Sequence, residues 1–153
     1  MDNSFTNNFK KSLDTGFVDK NVESEIIYRP KLLVNKKTPK EKVLSTLIQE
    51  LNNCTEFYIS VAFVTTNGIA VLFSTLLELK AKGIKGEVLV SQYLNFTQPE
   101  ALKKLLVFEN IELKISTKNN SHSKGYIFKT KDYYNIIIGS SNWTSSAWSC
   151  YLY

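Results

Sequence analysis

The sequence predicts an α/β fold, in the form of an α+β sandwich in which helices flank a mixed central β-sheet. Three observations support this fold class. Strand-like and helix-like segments alternate from about residue 38 onward, the first strand-like segment is almost continuously apolar, and the last two are short and adjacent. Alternation favours parallel strands joined by helices, whereas two adjacent short strands favour an antiparallel hairpin. The two patterns together predict a sheet of mixed direction.

Two segments begin with the residues of a helix N-terminus. In "TPKE", Thr38 is placed to cap a helix and Glu41 to return a hydrogen bond to the cap, and the apolar face that follows ends at Asn53. "TQPEALKKLL" repeats this arrangement with Thr97 as the cap. It predicts a second helix over about residues 98–107.

The other elements are predicted from apolar and β-branched segments. "GIAVLFSTLLELKAKG" is typical of an apolar helix that ends near Gly83. The continuous apolar character of "EFYISVAFV" indicates a central buried strand, whereas "IELKIS" alternates as a more exposed strand does. The predicted strands are 56–64, 86–91 and 111–116, followed by the hairpin strands 124–129 and 135–140.

The chain divides into an N-terminal arm and one domain. Residues 1–30 are polar, rich in asparagine and irregular in pattern, whereas residues 31–153 contain the predicted elements. A chain of 153 residues can bury about two thirds of the surface that its unfolded form exposes, which is enough for one core. Its last segment, "WTSSAWSCYLY", is still apolar, so we expect a fragment of a longer polypeptide.

Charge and cysteine content narrow the class of protein. The net charge of +5 favours encounter with polyanions such as nucleic acid, although a solvated lysine-rich surface gives the same number. Cys54 and Cys150 are far apart and the chain has one histidine, so we expect two ordinary thiols and no metal. No apolar window of about 18 residues and no secretory signal occur, so we expect a cytoplasmic protein without a membrane segment.

Two short polar segments bracket the predicted hairpin. "HSK" contains the single histidine, His122, and Lys124 at the start of one strand, and "GSSN" follows the next strand with Gly139, Ser140 and Asn142. Side chains two residues apart on a strand share a face, and the start of one antiparallel strand lies beside the end of its neighbour. We therefore expect these groups to converge.

These residue types suit phosphoryl transfer. A neutral imidazole can attack phosphorus, a lysine ammonium group binds phosphate oxygens, and amide and hydroxyl groups donate to the developing charge. Two plainer interpretations stay open: His122 as a surface histidine in a turn, and "GSSN" as a turn of small polar residues. Nearby aromatic residues are candidates for base stacking or for simple packing, namely Tyr133, Tyr134, Trp143 and Trp148.

The same segments resemble a known signature. "HSK" at 122–124, Asp132 and "GSSN" at 139–142 are similar to the His-x-Lys, Asp and Gly-Ser-x-Asn signature of the phospholipase D superfamily. With "FYISVAFVTTNGI" and "YLNFTQPEAL", the chain from about residue 30 onward resembles the phospholipase D-like module at the N-terminus of certain bacterial superfamily 2 helicases of restriction-type systems. Seven residues separate Lys124 from Asp132, more than in the usual signature, and Lys129 lies at the expected place.

The resemblance implies a metal-independent phosphodiesterase that works through a phosphohistidine intermediate and needs no cofactor. It also implies two copies of the signature that face each other, with one histidine attacking and the other protonating the leaving oxygen. The roles that it implies here are nucleophile for His122, phosphate binding for Lys124 and Asn142, support of the phosphate for Ser140 and Gly139, and motif acid for Asp132.

One histidine per chain cannot be both nucleophile and acid. We therefore expect a homodimer with both His122 side chains at the interface, a symmetric arrangement that is also the commonest oligomer type. The expected substrate is DNA, with RNA as the alternative, and the expected neighbour is a helicase domain C-terminal in the same polypeptide. Two alternatives remain: a nucleic-acid binding module without turnover, and a hydrolase of lipids or small phosphodiesters.

Overall fold

The computed structural model describes residues 3–13, 31–36, 42–117 and 121–149. The chain forms two compact units, Met1–Leu33 and Val34–Tyr153. In the first unit, helix α1 spans Asn3–Leu13, an element that the irregular polar pattern did not predict. The second unit contains the sheet and the candidate site.

In the second unit, helices and strands alternate before the chain closes on a hairpin. Three strands run parallel in the order β3-β2-β1, β4 lies antiparallel beside β1, and β5 lies antiparallel beside β4 at the end of the sheet. This mixed sheet with flanking helices confirms the predicted fold class. The elements are α2 Val43–Asn53, β1 Glu56–Val61, α3 Thr66–Ala81, β2 Lys85–Ser91, α4 Pro99–Leu105, β3 Ile111–Ser116, β4 Gly125–Lys129, β5 Tyr134–Ile138 and α5 Ser145–Ser149.

The strand register brings five strand ends to one edge of the sheet. Ser60, near the end of β1, lies opposite Gly125, the first residue of β4, and Gly125 lies opposite Ile138, the last residue of β5. The parallel strands β2 and β3 end at this edge as well, at Ser91 and Ser116. Ligands of open α/β sheets bind outside the carboxyl ends of parallel strands, so a functional site is expected at this edge.

The core lies between one face of the sheet and the helices. Phe57 and Ile59 of β1 are buried, and they lie opposite Phe128 and Tyr126 of β4, which are buried too. Burial of each such apolar side chain stabilises the fold by about 1.5–3 kcal/mol. On the other face of the sheet, Ile138 is exposed. The alternation of buried and exposed residues fixes the register, because a slip of one residue would reverse the two faces.

Helix α2 begins later than the "TPKE" pattern predicts. Thr38 lies outside the described residues, and α2 starts at Val43 after Lys42, which is extended and makes no side-chain cap. The Val43 N–H donates instead to Asn35 Oδ1 at 2.9 Å. A distant side chain therefore satisfies a backbone donor at the start of the helix, which local sequence does not reveal. The predicted end at Asn53 is confirmed.

The prediction that Thr97 caps α4 is wrong. Its hydroxyl donates to the carbonyl of Ser91 at 2.8 Å, and the residue before the helix is Gln98, which makes no side-chain cap. Thr97 therefore fastens the loop after β2 to the end of that strand. None of the helices in the described ranges combines the length and the apolar character needed to span a bilayer.

Candidate active site

Four connections meet at the edge where the parallel strands end: those after β1, after β2, before β4 and after β5. Val64, after β1, pairs with Trp143, after β5, in an isolated parallel bridge. Next to it, Thr65 N–H donates to the Trp143 carbonyl at 2.9 Å. These backbone contacts hold the segment that follows "GSSN" against the segment that follows the central strand.

Lys124 is the most buried charged residue of the candidate site. It directly precedes β4, and only 4% of it is exposed. Its Nζ donates to the His122 carbonyl at 2.5 Å, and its own carbonyl accepts from Gly139 N–H at 3.4 Å. Burial lowers the pKa of the Lys124 ammonium group. Since an ammonium group has three N–H donors, it retains donors for an anion beyond the one used on His122.

His122 is exposed beside Lys124, and its ring lies against Tyr93 with a centroid distance of 4.4 Å and an interplanar angle of 42°. Strand β4 begins only at Gly125, so both residues precede it. The prediction that His122 and Lys124 share a strand face is therefore wrong. What joins them is the hydrogen bond from the Lys124 side chain to the His122 backbone.

Asn142 is buried, with 7% of its surface exposed, and its amide orientation is fixed by the protein. Its Oδ1 accepts from the N–H groups of Ala62 at 3.0 Å and Phe63 at 3.3 Å, directly after β1. Two backbone donors identify this atom as the oxygen. The Asn142 NH₂ group is therefore the part of the amide that can donate to a ligand.

The turn between β5 and Asn142 is anchored from the core. The hydroxyl of Tyr126, which is 1% exposed, donates to the Ser141 carbonyl at 2.6 Å. Burial raises the pKa of this phenol, so it remains a donor at any ordinary pH. Gly139 and Ser140 lie exposed above the anchored carbonyl. The structure thus brings His122, Lys124 and the "GSSN" turn to one edge, as predicted.

The structure does not bring Asp132 to this site. It is exposed in the hairpin turn, at the end of β4 away from His122. The five residues of β4 span about 17 Å at the usual rise per residue. Asp132 is therefore too far away to contact the reacting groups. Any role that it has as the motif acid is confined to the hairpin turn.

The four aromatic residues proposed for base stacking are also not placed for it. Trp143 and Trp148 are buried, so packing is the correct interpretation for both. Tyr133 and Tyr134 are exposed, but they lie at the same distant end of the hairpin as Asp132. Other aromatic residues, Phe63 and Tyr93, lie at the site itself.

Sequence reasoning missed Phe63, Tyr93 and Tyr126. Phe63 and Tyr93 each follow the end of a parallel strand by two residues, so the rule that ligands bind at carboxyl ends of such strands could have found them. No comparable signal marks Tyr126, because its place in the alternating pattern of β4 predicts only burial.

Metal binding has no support in the parts of the chain that the structure describes, where no group of three or more histidine, cysteine or acidic side chains could hold an ion. Cys54 is buried, and its Sγ donates to the Leu51 carbonyl at 3.2 Å. Burial raises the pKa of this thiol, which suits a structural role rather than a nucleophilic one. Cys150 lies outside the described residues.

An imidazole, an ammonium group and a locked amide at one edge of a mixed α/β sheet are groups that suit the binding of a phosphate ester. The family model described as "Cardiolipin synthase, PLD-like domain" matches residues 47–152, more than half of the chain. The chain therefore belongs to this phospholipase D-like family, whose superfamily consists generally of phosphodiesterases. No curated protein matches the chain. The link to helicases stays a prediction.

Proposed function

We propose that this domain is a metal-independent phosphodiesterase that cleaves nucleic acid through a phosphohistidine intermediate. The observation that carries the proposal is the location of three groups at the same edge of the sheet: the exposed imidazole of His122, the buried ammonium group of Lys124 and the Asn142 NH₂. An exposed nucleophile can reach a polymeric substrate. The two donors are held by the protein, so they need little reorganisation when charge develops on the phosphate oxygens.

The proposed reaction proceeds in two balanced steps. In the first, a ring nitrogen of His122 forms a bond to phosphorus, the bond from phosphorus to the leaving oxygen breaks, and the partner subunit's His122 gives that oxygen a proton. In the second, water attacks phosphorus, the partner subunit's His122 takes the water proton, and the phosphorus–nitrogen bond breaks. Lys124 and Asn142 hold the non-bridging oxygens in both steps.

Nucleic acid is the proposed substrate class because of charge and access. The net charge of +5 attracts a polyanion, and electrostatic attraction to phosphates does not depend on base sequence. An exposed histidine also suits an internal phosphodiester of a long chain better than a substrate that must be enclosed.

Cleavage of an end-labelled DNA oligonucleotide in excess EDTA tests this proposal. We expect cleavage by the wild type, loss of cleavage in His122→Ala, and retention in Ser123→Ala, which truncates the exposed neighbouring side chain. Rapid quenching should trap protein-bound nucleotide that is stable to alkali and labile to acid, as a phosphorus–nitrogen bond is. Binding of DNA by the wild-type dimer without cleavage would instead support the nucleic-acid binding alternative.

Asn142→Asp gives a second, nearly isosteric variant. The carboxylate can still accept from Ala62 and Phe63 but has no NH₂ to donate. We expect kcat to fall by about a hundred- to a thousandfold, the usual effect of removing one donor to a developing oxyanion. If kcat were unchanged, Asn142 would have only a structural role.

A further inference from the structure

A cleft of about 590 Å³ adjoins the candidate phosphate site. The rings of Phe63 and Phe96 form part of its wall, and the other lining residues are threonine, serine, asparagine and glutamine. None of the described residues that line it is charged. The volume falls within the range of small-molecule sites, which is about 300–1,000 Å³. The cleft can therefore accept a neutral group that is flat on one side and polar at its edges.

Two aromatic ring contacts, linked through backbone hydrogen bonds, connect this cleft to the phosphate site. The Phe63 N–H donates to Asn142 Oδ1 at 3.3 Å, and the Phe63 ring meets the Phe96 ring edge-on at a centroid distance of 5.4 Å. Phe96 N–H donates to the Tyr93 carbonyl at 3.1 Å, and the Tyr93 ring lies 4.4 Å from the His122 ring. These contacts place the Phe63–Phe96 pair next to Asn142 and the Tyr93 ring next to the proposed nucleophile.

The loop that carries Tyr93 and Phe96 is held in a costly conformation. Leu94 and Asn95 both have left-handed backbones, with φ of 47° and 58°. Backbone strain of this kind persists only where surrounding contacts determine it, and it clusters at ligand sites. Here Gln98 N–H donates to the Val64 carbonyl at 3.0 Å, which ties the end of the loop to the segment after β1. The ring of Phe96 nevertheless stays 53% exposed, so a ligand can reach it.

We propose that the cleft binds a nucleobase next to the scissile phosphate, stacked on Phe96. This inference rests on the proposed function and extends it to the substrate class, which would be nucleic acid with an unpaired base at the site. Every base has a π-face, so stacking on an aromatic side chain tolerates any sequence. An unpaired base must be available, since stacked and paired bases in a duplex expose no face.

The polar wall favours a base over an acyl chain. Gln98 Oε1 accepts from Thr66 N–H at 2.8 Å, which leaves the Gln98 NH₂ able to donate to a ligand. Asn67, also in the wall, offers an amide donor and an acceptor. Amide groups of this kind match the edges of bases, whereas a hydrocarbon chain would leave them desolvated and unpaired.

Two single-stranded oligonucleotides separate this inference from the proposed function. One carries 2-aminopurine beside a central phosphate, and the other has abasic sites on both sides of that phosphate. Binding is measured in EDTA in a His122→Ala background, by quenching of 2-aminopurine and by titration. We expect Phe96→Ala to weaken binding of the base-bearing strand by about five- to a hundredfold and to reduce the quenching. This is the change in affinity that the loss of stacking on one aromatic ring usually causes.

Binding of the abasic strand should change less than twofold in Phe96→Ala. Phe96→Tyr should restore base binding, and Leu106→Ala should have no effect, since Leu106 is an exposed apolar residue that does not line the cleft. If Phe96→Ala weakened binding of both strands equally, or of neither, the base site would be overturned. Cleavage of the abasic strand by the wild type would still support the proposed function in that case. If Phe96→Ala impaired hydrolysis of a short-chain phospholipid instead, the cleft would be a lipid site. If the wild type neither bound nor cleaved either strand, both proposals would fail.

Discussion

Lys124 is a charged residue whose burial lowers the stability of the fold but provides a donor for phosphate. Only 4% of the residue is exposed, and burial lowers the pKa of its ammonium group, which means that the folded protein disfavours the charge that a phosphate ligand needs. The hydrogen bond to the His122 carbonyl offsets part of this cost. Buried charge at functional sites is a common source of lost stability.

Replacement of Lys124 by methionine should therefore stabilise the fold and impair cleavage. Methionine keeps most of the apolar stem and removes the charge, so we expect the free energy of unfolding to rise by about 0.5–2 kcal/mol at neutral pH. Cleavage should fall by about a hundredfold or more. Urea unfolding and the oligonucleotide assay measure the two effects.

The lowered pKa of Lys124 predicts how the stability gained in Lys124→Met changes with pH. Because the pKa of Lys124 is lowered in the folded state, the wild type carries the full penalty below that pKa, and the penalty disappears as the pH rises through it toward the ordinary lysine value. The advantage of Lys124→Met should thus shrink at alkaline pH. Lys104→Met, at an exposed position, changes the net charge equally and should show neither effect. A destabilised Lys124→Met would mean that the hydrogen bond to His122 outweighs the burial of charge.

At the scale of single residues, the sequence predicted which side chains lie at one edge of the sheet but not how they are oriented. His122, Lys124, Ser140 and Asn142 were predicted from the two short polar segments, and the structure places all four at one edge. The locked amide of Asn142 depends on hydrogen bonds from the segment after β1. Contacts between residues about 80 positions apart in sequence leave no local pattern, so they could not be predicted.

Close packing of α3 against the segment after "GSSN" connects the elements to the site. A Cβ added at Gly68, in the first turn of α3, would lie 1.9 Å from the carbonyl oxygen of Trp143. Only glycine permits this approach. The Trp148 indole N–H donates to the Gly68 carbonyl at 3.2 Å, so α5 is fastened to the same turn. The first turn of α3 is therefore a support for the segment that contains Asn142.

Substitution of Gly68 by alanine tests this support. Alanine has the higher helix propensity, so propensity alone predicts a gain of about 1 kcal/mol. The clash with the Trp143 backbone predicts the opposite, and we expect a loss of about 1–3 kcal/mol or more in urea unfolding, because backbone atoms must move. Gly125→Ala is the matched control, since its added Cβ meets nothing within 4 Å. A stable Gly68→Ala would show that α3 can shift without cost.

The elements themselves were largely predictable, whereas the starts of two helices were not. Periodicity and β-branched composition predicted all five strands and the helices α2 to α4. The start of α2 depends on Asn35, and Thr97 bonds to Ser91 rather than to α4, so both caps are decided by tertiary contacts. Helix α1 was missed although Phe5, Phe9 and Leu13 recur every four residues, because the polar, asparagine-rich composition around them favoured an irregular arm.

The count of histidines is a property of the whole molecule, and it sets the stoichiometry of the proposed site. The reaction needs one neutral and one protonated imidazole, and each chain has one histidine. A shared site in a two-fold dimer supplies both.

Mixed dimers distinguish a shared site from two independent ones. Wild-type and His122→Ala chains are unfolded together, refolded at known ratios and assayed at constant total protein. If both histidines act on one phosphate, a dimer with one wild-type chain is inactive, and activity should follow the square of the wild-type fraction. Each chain acting alone would instead give a linear decrease. Lys104→Met chains in place of His122→Ala provide the control for refolding and should leave activity constant at every ratio. A linear decrease, or a chain that remains monomeric while active, would exclude the two-histidine reaction and leave His122 as the only imidazole, with water or another group protonating the leaving oxygen.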